Sequence, residues 1–203
     1  MREHLCLMLA KYAGQELTRA IAVELVNEMF PDLTYSPERF GTGAYKGYTF
    51  QAERMADVQP ELHPLHQAHY DETESYRAGI AMMPNYEGMK ERERAGRLIQ
   101  FTARAPDGAL AGHMRVYISP SEHTDTLIAT EDTFCFAPAH RGGFTAARLW
   151  QFVECSVAAI GVREIYFDSK LVNKADAMAR YLKYTPIATK FAKILPALIT
   201  PKE

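Results

Sequence analysis

Cysteine is scarce and unpatterned in this sequence. Cys6, Cys135 and Cys155 are the only three in 203 residues, and no CxxC or Cys/His spacing joins them. That argues against a disulfide framework and against a cysteine-built zinc site. Two of the three lie in apolar runs, which predicts buried free thiols in a reducing compartment. Long apolar runs are missing as well. No stretch approaches the ~20 residues that cross a bilayer, and the apolar run near the start, Leu5 to Ala10, is too short for a secretory signal. A cytoplasmic protein with no membrane partner is expected. No charge of one sign dominates: 23 Lys and Arg face 25 Asp and Glu, a formal net charge of −2. The global electrostatic case for nucleic acid is therefore absent. Internal repeats and low-complexity segments are absent too.

What is present reads as a globular chain, with 47% hydrophobic and 24% charged residues. Residues 15–30 carry Leu17, Ile21, Leu25 and Met29 at i, i+4 spacing, an amphipathic helix. The Pro- and Gly-containing stretch after Pro31 reads as a linker. This gives an N-terminal helical extension and linker over 1–47 and a main domain over 48–203. Within the latter, alternation predicts strands at 48–57, 98–105, 109–118, 126–137, 162–169 and 186–195. The turn Pro106-Asp107-Gly108 makes a hairpin of the second and third. Helices are expected at 58–76, 84–97, 144–160 and 174–184, the third ending at Gly161. The order is β-α-α-β-β-β-α-β-α-β.

The stretch "FAPAHRGGFTAARLWQFVE" leaves a strand, crosses Arg141-Gly142-Gly143 and enters a helix at once. Backbone N–H groups at such a helix start, added to the helix dipole, make an anion site. The turn 141–146 holds no acidic residue. Upstream, Glu131 and Asp132 interrupt an otherwise apolar strand, which is costly unless one of them faces a wet cleft. Alternation sends the two side chains to opposite faces. The triplet His63, His66, His69 does not converge on one ion, because the outer two are about 120° apart around a helix. No metal is expected.

The element order and this turn resemble the GNAT superfamily of acyl-CoA-dependent N-acyltransferases over residues 48–195, with "PAHRGG…ARLWQFVE" most similar to compact members encoded by bacteriophages and prophages. The resemblance implies an α/β (α+β) fold: a mixed, mostly antiparallel central sheet of six to seven strands, splayed between its fourth and fifth, flanked by helices. It implies that Arg141 to Ala146 (Arg141, Gly142, Gly143, Phe144, Thr145, Ala146) bind the pyrophosphate of acetyl-CoA. Phe144 stands where the family has its middle glycine, and Thr185 where it has a glycine after the last helix. The strand edge Phe134, Cys135, Phe136 and Asn173 would hold the pantetheine arm. Glu131 or Asp132 would be the general base, and Tyr181, with Tyr184 as neighbour, the acid for the departing thiolate. His69, Tyr70 and Glu72 would contact the acceptor. The expected activity is acetyl transfer to a primary amine by direct attack, with a homodimer through the N-terminal helix or a sheet edge. Two alternatives stand beside it: a catalytically degenerate fold that binds a protein, and an enzyme on the same fold that modifies DNA bases.

Overall fold

The computed structural model describes residues 2–18, 36–77, 79–170 and 175–195, together with 21, 22, 25 and 29. Its centre is a six-stranded sheet in the order β1 to β6 (Thr42–Tyr45, Tyr48–Ala52, Leu98–Arg104, Leu110–Pro120, Leu127–Phe136, Val162–Tyr166). Neighbours pair antiparallel except β5 and β6, which are parallel. Among the described residues, the α-helices with defined bounds are α1 (Arg2–Lys11), α2 (Met55–Thr73), α3 (Tyr86–Arg94), α4 (Thr145–Ala159) and α5 (Ala175–Tyr181). This is the mixed α+β architecture expected from the sequence.

Two layers of side chains cover the sheet. On one face α4 buries Leu149, Trp150, Val153 and Val157 against Phe50, Phe101, Met114, Val116 and Ala129. On the other, Met55, Val58 and Leu62 of α2 meet Leu98, with Tyr86 and Met89 of α3 alongside. Pro60 and Pro64 lie inside α2, which begins earlier than its sequence suggests, and both face solvent. Water can therefore satisfy the carbonyls that their missing N–H groups leave free.

Four expectations give way here. A strand, β1, occupies part of the stretch read as a linker. Lys46 and Gly47 both have positive φ (49° and 82°), the two-residue turn that closes a hairpin. The expected strand at 186–195 is absent: those residues are exposed and unpaired with the sheet, with Ile187 71% and Phe191 90% exposed. Pro186 lacks a ladder donor, and alternation alone does not supply a partner strand. Leu17 is not on the apolar stripe of the extension. Thr18 Oγ1 accepts from the Ile21 amide at 3.3 Å, and Leu17, ahead of it, is exposed. Ile21, Leu25 and Met29 are helical and half-buried. Of the cysteines only Cys135 is buried, since Cys6 points outward from α1 and Cys155 from α4.

Candidate active site

The site begins where two strands part. β6 pairs with β5 only from Leu127 to Thr130. From Glu131 to Phe136 the same edge of β5 has no strand beside it among the described residues. A bulge bends β5 at that point: Arg115 is opposite Thr133 while Val116 is opposite Glu131, so Asp132 is the extra residue. The bulge places Asp132 and Thr133 on one side, where Arg115 reaches both. Glu131 has other company, Asp168 and Lys170, on the chain leaving β6.

Glu131 is an unusual carboxylate. Burial, then the charges of Asp132 and Asp168, push its pKa up to about 8, against the pull of the Asp168 amide and of Lys170. It is protonated through most of the neutral range and ionises just above it. Asp132 is held differently. Its Oδ2 accepts from Arg115 Nη2 at 2.6 Å, Arg115 Nε at 2.8 Å and Thr133 Oγ1 at 3.0 Å. Arg115 is buried, so the pair places a compensated charge beneath α2 and α3.

At its C-terminal end β5 runs through a short 3-10 turn, Pro138–His140, into Arg141 and the two glycines. Gly142 and Gly143 have φ of 120° and 59°, and open space stands where a Cβ would project. Gly143 and Phe144 form a turn into α4, and the first N–H groups of a helix have no partner within it. Phe144 caps the helix and is 49% exposed. Its ring packs on Tyr181, centroids 5.3 Å apart. Thr145 is buried and Ala146 half-buried behind the turn. Arg141 reaches back across the fork. Its Nε donates to the Phe136 carbonyl at 2.8 Å, and its two terminal nitrogens bond the two carboxylate oxygens of Glu72 at 3.0 and 2.7 Å.

The remaining expected residues fall unevenly around this frame. Tyr181 ends α5 and is half exposed. Tyr184 is placed differently: its hydroxyl accepts from Trp150 Nε1 at 2.7 Å, and burial raises its pKa. Phe134 and Phe136 pack their rings into the α4-side core, Phe134 edge-on to Trp150 at 5.0 Å, so only their backbone serves the open edge. Burial pushes the Cys135 thiol up to about 12, an unreactive group. His69 is half-buried, with its pKa lowered first by burial and then by Lys170. The Tyr70 hydroxyl donates to the Ile80 carbonyl at 2.6 Å. Asn173 lies outside the described residues.

Sequence reasoning missed a polar layer under α2. His66, Gln100, His113 and Arg115 are all buried there. Burial drives His66 down to about 3 and His113 well below its usual value, so both are neutral. His66 Nδ1 meets the Tyr86 hydroxyl at 2.9 Å, and Gln100 Nε2 meets His113 Nδ1 at 3.2 Å. The signal was in the sequence, as polar residues recurring at every second position of β3 and β4. Alternation alone assigns them to solvent.

A forked sheet opening on a glycine turn and a helix is the fold of the GNAT acetyltransferases, and solved structures bear this out. An aminoglycoside acetyltransferase from an uncultured soil metagenomic sample superposes with a TM-score of 0.58 at 11% identity, over 73% of this chain and 97% of that one. A ribosomal-protein-alanine N-acetyltransferase from Brucella melitensis biovar Abortus 2308 gives 0.54 at 16% identity, over 74% and 99%. A possible acetyltransferase from Clostridium difficile 630 gives 0.58 at 12% identity, over 74% and 99%. At these identities the likeness is one of fold. No known family description matches the sequence, and no curated protein does. Among the described residues, no helix is long and apolar enough to cross a membrane.

Proposed function

We propose that this chain is an acetyl-CoA-dependent N-acetyltransferase whose acceptor is a primary amine. The observation that carries the reading is the fork, where β5 leaves β6 after Thr130 and runs into the Gly142–Gly143 turn that opens α4. An unpaired strand edge receives an amide-bearing arm as it would another strand. Free amides at a positive helix end satisfy phosphate oxygens. The open space over both glycines fits a group lying close to the backbone. In this reading the backbone of Phe134, Cys135 and Phe136, with Asn173, holds the pantetheine arm. The turn from Arg141 through Phe144 and Thr145 to Ala146 holds the pyrophosphate.

Acetyl-CoA supplies a thioester acetyl carbon to which the acceptor nitrogen adds directly, with no covalent enzyme intermediate. The β5 edge offers a backbone N–H to the developing oxyanion. Glu131 takes the amine proton, directly or through a water, and its raised pKa makes it a stronger base once it ionises, just above neutral pH. Tyr181 gives a proton to the departing sulfur. Asp132 is fixed and neutralised by Arg115, which leaves Glu131 as the carboxyl group free to take the proton. His69, Tyr70 and Glu72 line the acceptor side. A homodimer through the N-terminal helix at 15–30 or a sheet edge is the assembly this reading expects.

The test is thiol release from acetyl-CoA across a panel of polyamines, aminoglycosides, peptides and DNA, with CoA binding followed by calorimetry. Turnover with at least one amine supports the reading. No heat and no thermal shift at millimolar acetyl-CoA would overturn it in favour of a fold that binds a protein and catalyses nothing.

A further inference from the structure

Arg141 belongs to the turn and Glu72 to the last part of α2, yet the two are joined by a bidentate ion pair at 2.7 and 3.0 Å. The pair stands beside the open β5 edge, since both charges are felt by Cys135. It also stands beside the acceptor side, since both are felt by His69. One end of Arg141 is anchored independently, through Nε to the Phe136 carbonyl. Its guanidinium thus pivots on the end of β5, with a carboxylate holding its outer nitrogens. Side chains of the pair are 41% and 39% exposed, so exchange of one anionic partner for another involves little desolvation.

From this geometry we infer that the Arg141–Glu72 pair is a latch that couples the cofactor turn to the acceptor helix. The inference rests on the acetyl-CoA reading. A pyrophosphate entering the turn offers Arg141 a more highly charged partner than a carboxylate and takes it from Glu72. Glu72 is then an unpaired carboxylate on the acceptor side of the fork, and an ammonium is its natural counter-ion. Cofactor binding thereby prepares the acceptor site, and the coupling is reciprocal, so an ammonium held by Glu72 frees Arg141 for phosphate. Both ligands bind together more tightly than either alone, and a carboxylate-bearing acceptor is discriminated against at the same position.

The test is a double-mutant cycle on CoA affinity, read by calorimetry without any acceptor. Glu72→Gln removes the competitor for Arg141 and should bind CoA about two- to fivefold more tightly, the range of a half-exposed ion pair. Simple removal of a negative charge near an anion would also tighten binding, but in every background. The latch requires that Glu72→Gln have no effect once Arg141→Gln is present. Tightening that survives in the Arg141→Gln background, or a Glu72→Gln affinity equal to or weaker than wild type, overturns the latch while leaving the acetyltransferase reading intact. Absence of CoA binding in wild type and all three variants overturns both. Thermal melts of the four proteins confirm that each is folded.

Discussion

The ring of Phe144 lies against the ring of Tyr181, centroids 5.3 Å apart and planes tilted by 41°. One residue starts α4 and the other ends α5, so the contact ties the anion turn to the proposed leaving-group acid. A bulky residue in place of a glycine thereby gains a partner: its ring is a wall for the tyrosine.

Removing that wall should separate binding from chemistry. Phe144→Ala is expected to keep CoA affinity within about twofold while lowering turnover several-fold, as befits an aromatic contact of about 0.5–1.5 kcal/mol. Calorimetry and steady-state kinetics on the same preparation check it. A large loss of CoA affinity would show that the ring supports the turn instead.

Glu131 sets a pH dependence. If it accepts the amine proton, kcat/KM should climb with pH through an apparent pKa of about 8, and Glu131→Gln should flatten that limb. Stability moves the other way. A carboxyl whose pKa is raised on folding binds more protons in the native state between its unfolded value, about 4.5, and about 8. Over that window wild type loses stability as pH rises, and Glu131→Gln does not. Denaturant midpoints at several pH values decide it, and parallel curves for the two proteins would refute the assignment.

Breaking the Arg115–Asp132 pair leaves a buried guanidinium without its partner. Asp132→Ala should lower stability by about 2–4 kcal/mol, below the full figure for a buried pair because Asp132 is partly exposed. Chemical denaturation measures this directly. A loss under about 0.5 kcal/mol, the scatter of ordinary surface changes, would mean that water already screens the pair.

At Gly143, charge and backbone can be told apart. Its φ of 59° is one that asparagine also adopts, and nothing crowds the missing Cβ. Gly143→Asn should therefore fold and bind CoA with modest loss. Gly143→Asp, the same shape with a charge, should bind at least about tenfold more weakly, the equivalent of 1.4 kcal/mol. It should also be worse than Arg141→Ala, because the amides hold the phosphate more than the guanidinium does. Equal affinities for the Asn and Asp variants would make the turn a mere connection.

Much of this architecture was readable because it is written in local chemistry. The Pro106-Asp107-Gly108 hairpin, the Gly142–Gly143 turn and the Gly161 stop each follow from a residue whose backbone preferences leave few choices. The fork was legible only through family likeness, since the parting of two strands far apart in sequence leaves no periodic trace. The bulge at Asp132 is invisible for a related reason: a one-residue slip changes which side chains share a face without changing the string of letters. The tail at 186–195 shows the converse. Ile187, Phe191 and Leu195 fall on every second or fourth position, and a strand pattern needs a partner to become a strand. Tyr184 was ambiguous beside Tyr181 until Trp150 was seen to hold its hydroxyl.

The parallel pairing of β5 with β6 also has a meaning in time. β3, β4 and β5 follow one another as a meander of antiparallel neighbours, so each can zip onto the last from a nearby turn. β6 has no such route. Its parallel pairing needs a crossover, supplied by the intervening turn and α4, and it runs along four residues of β5. The groove between these strands therefore exists only once the rest has been assembled. A chain in which β6 had not docked would keep the antiparallel core and the glycine turn but lack the wall that β6 gives the groove, and ligand binding would report on that docking more sharply than any measure of secondary structure.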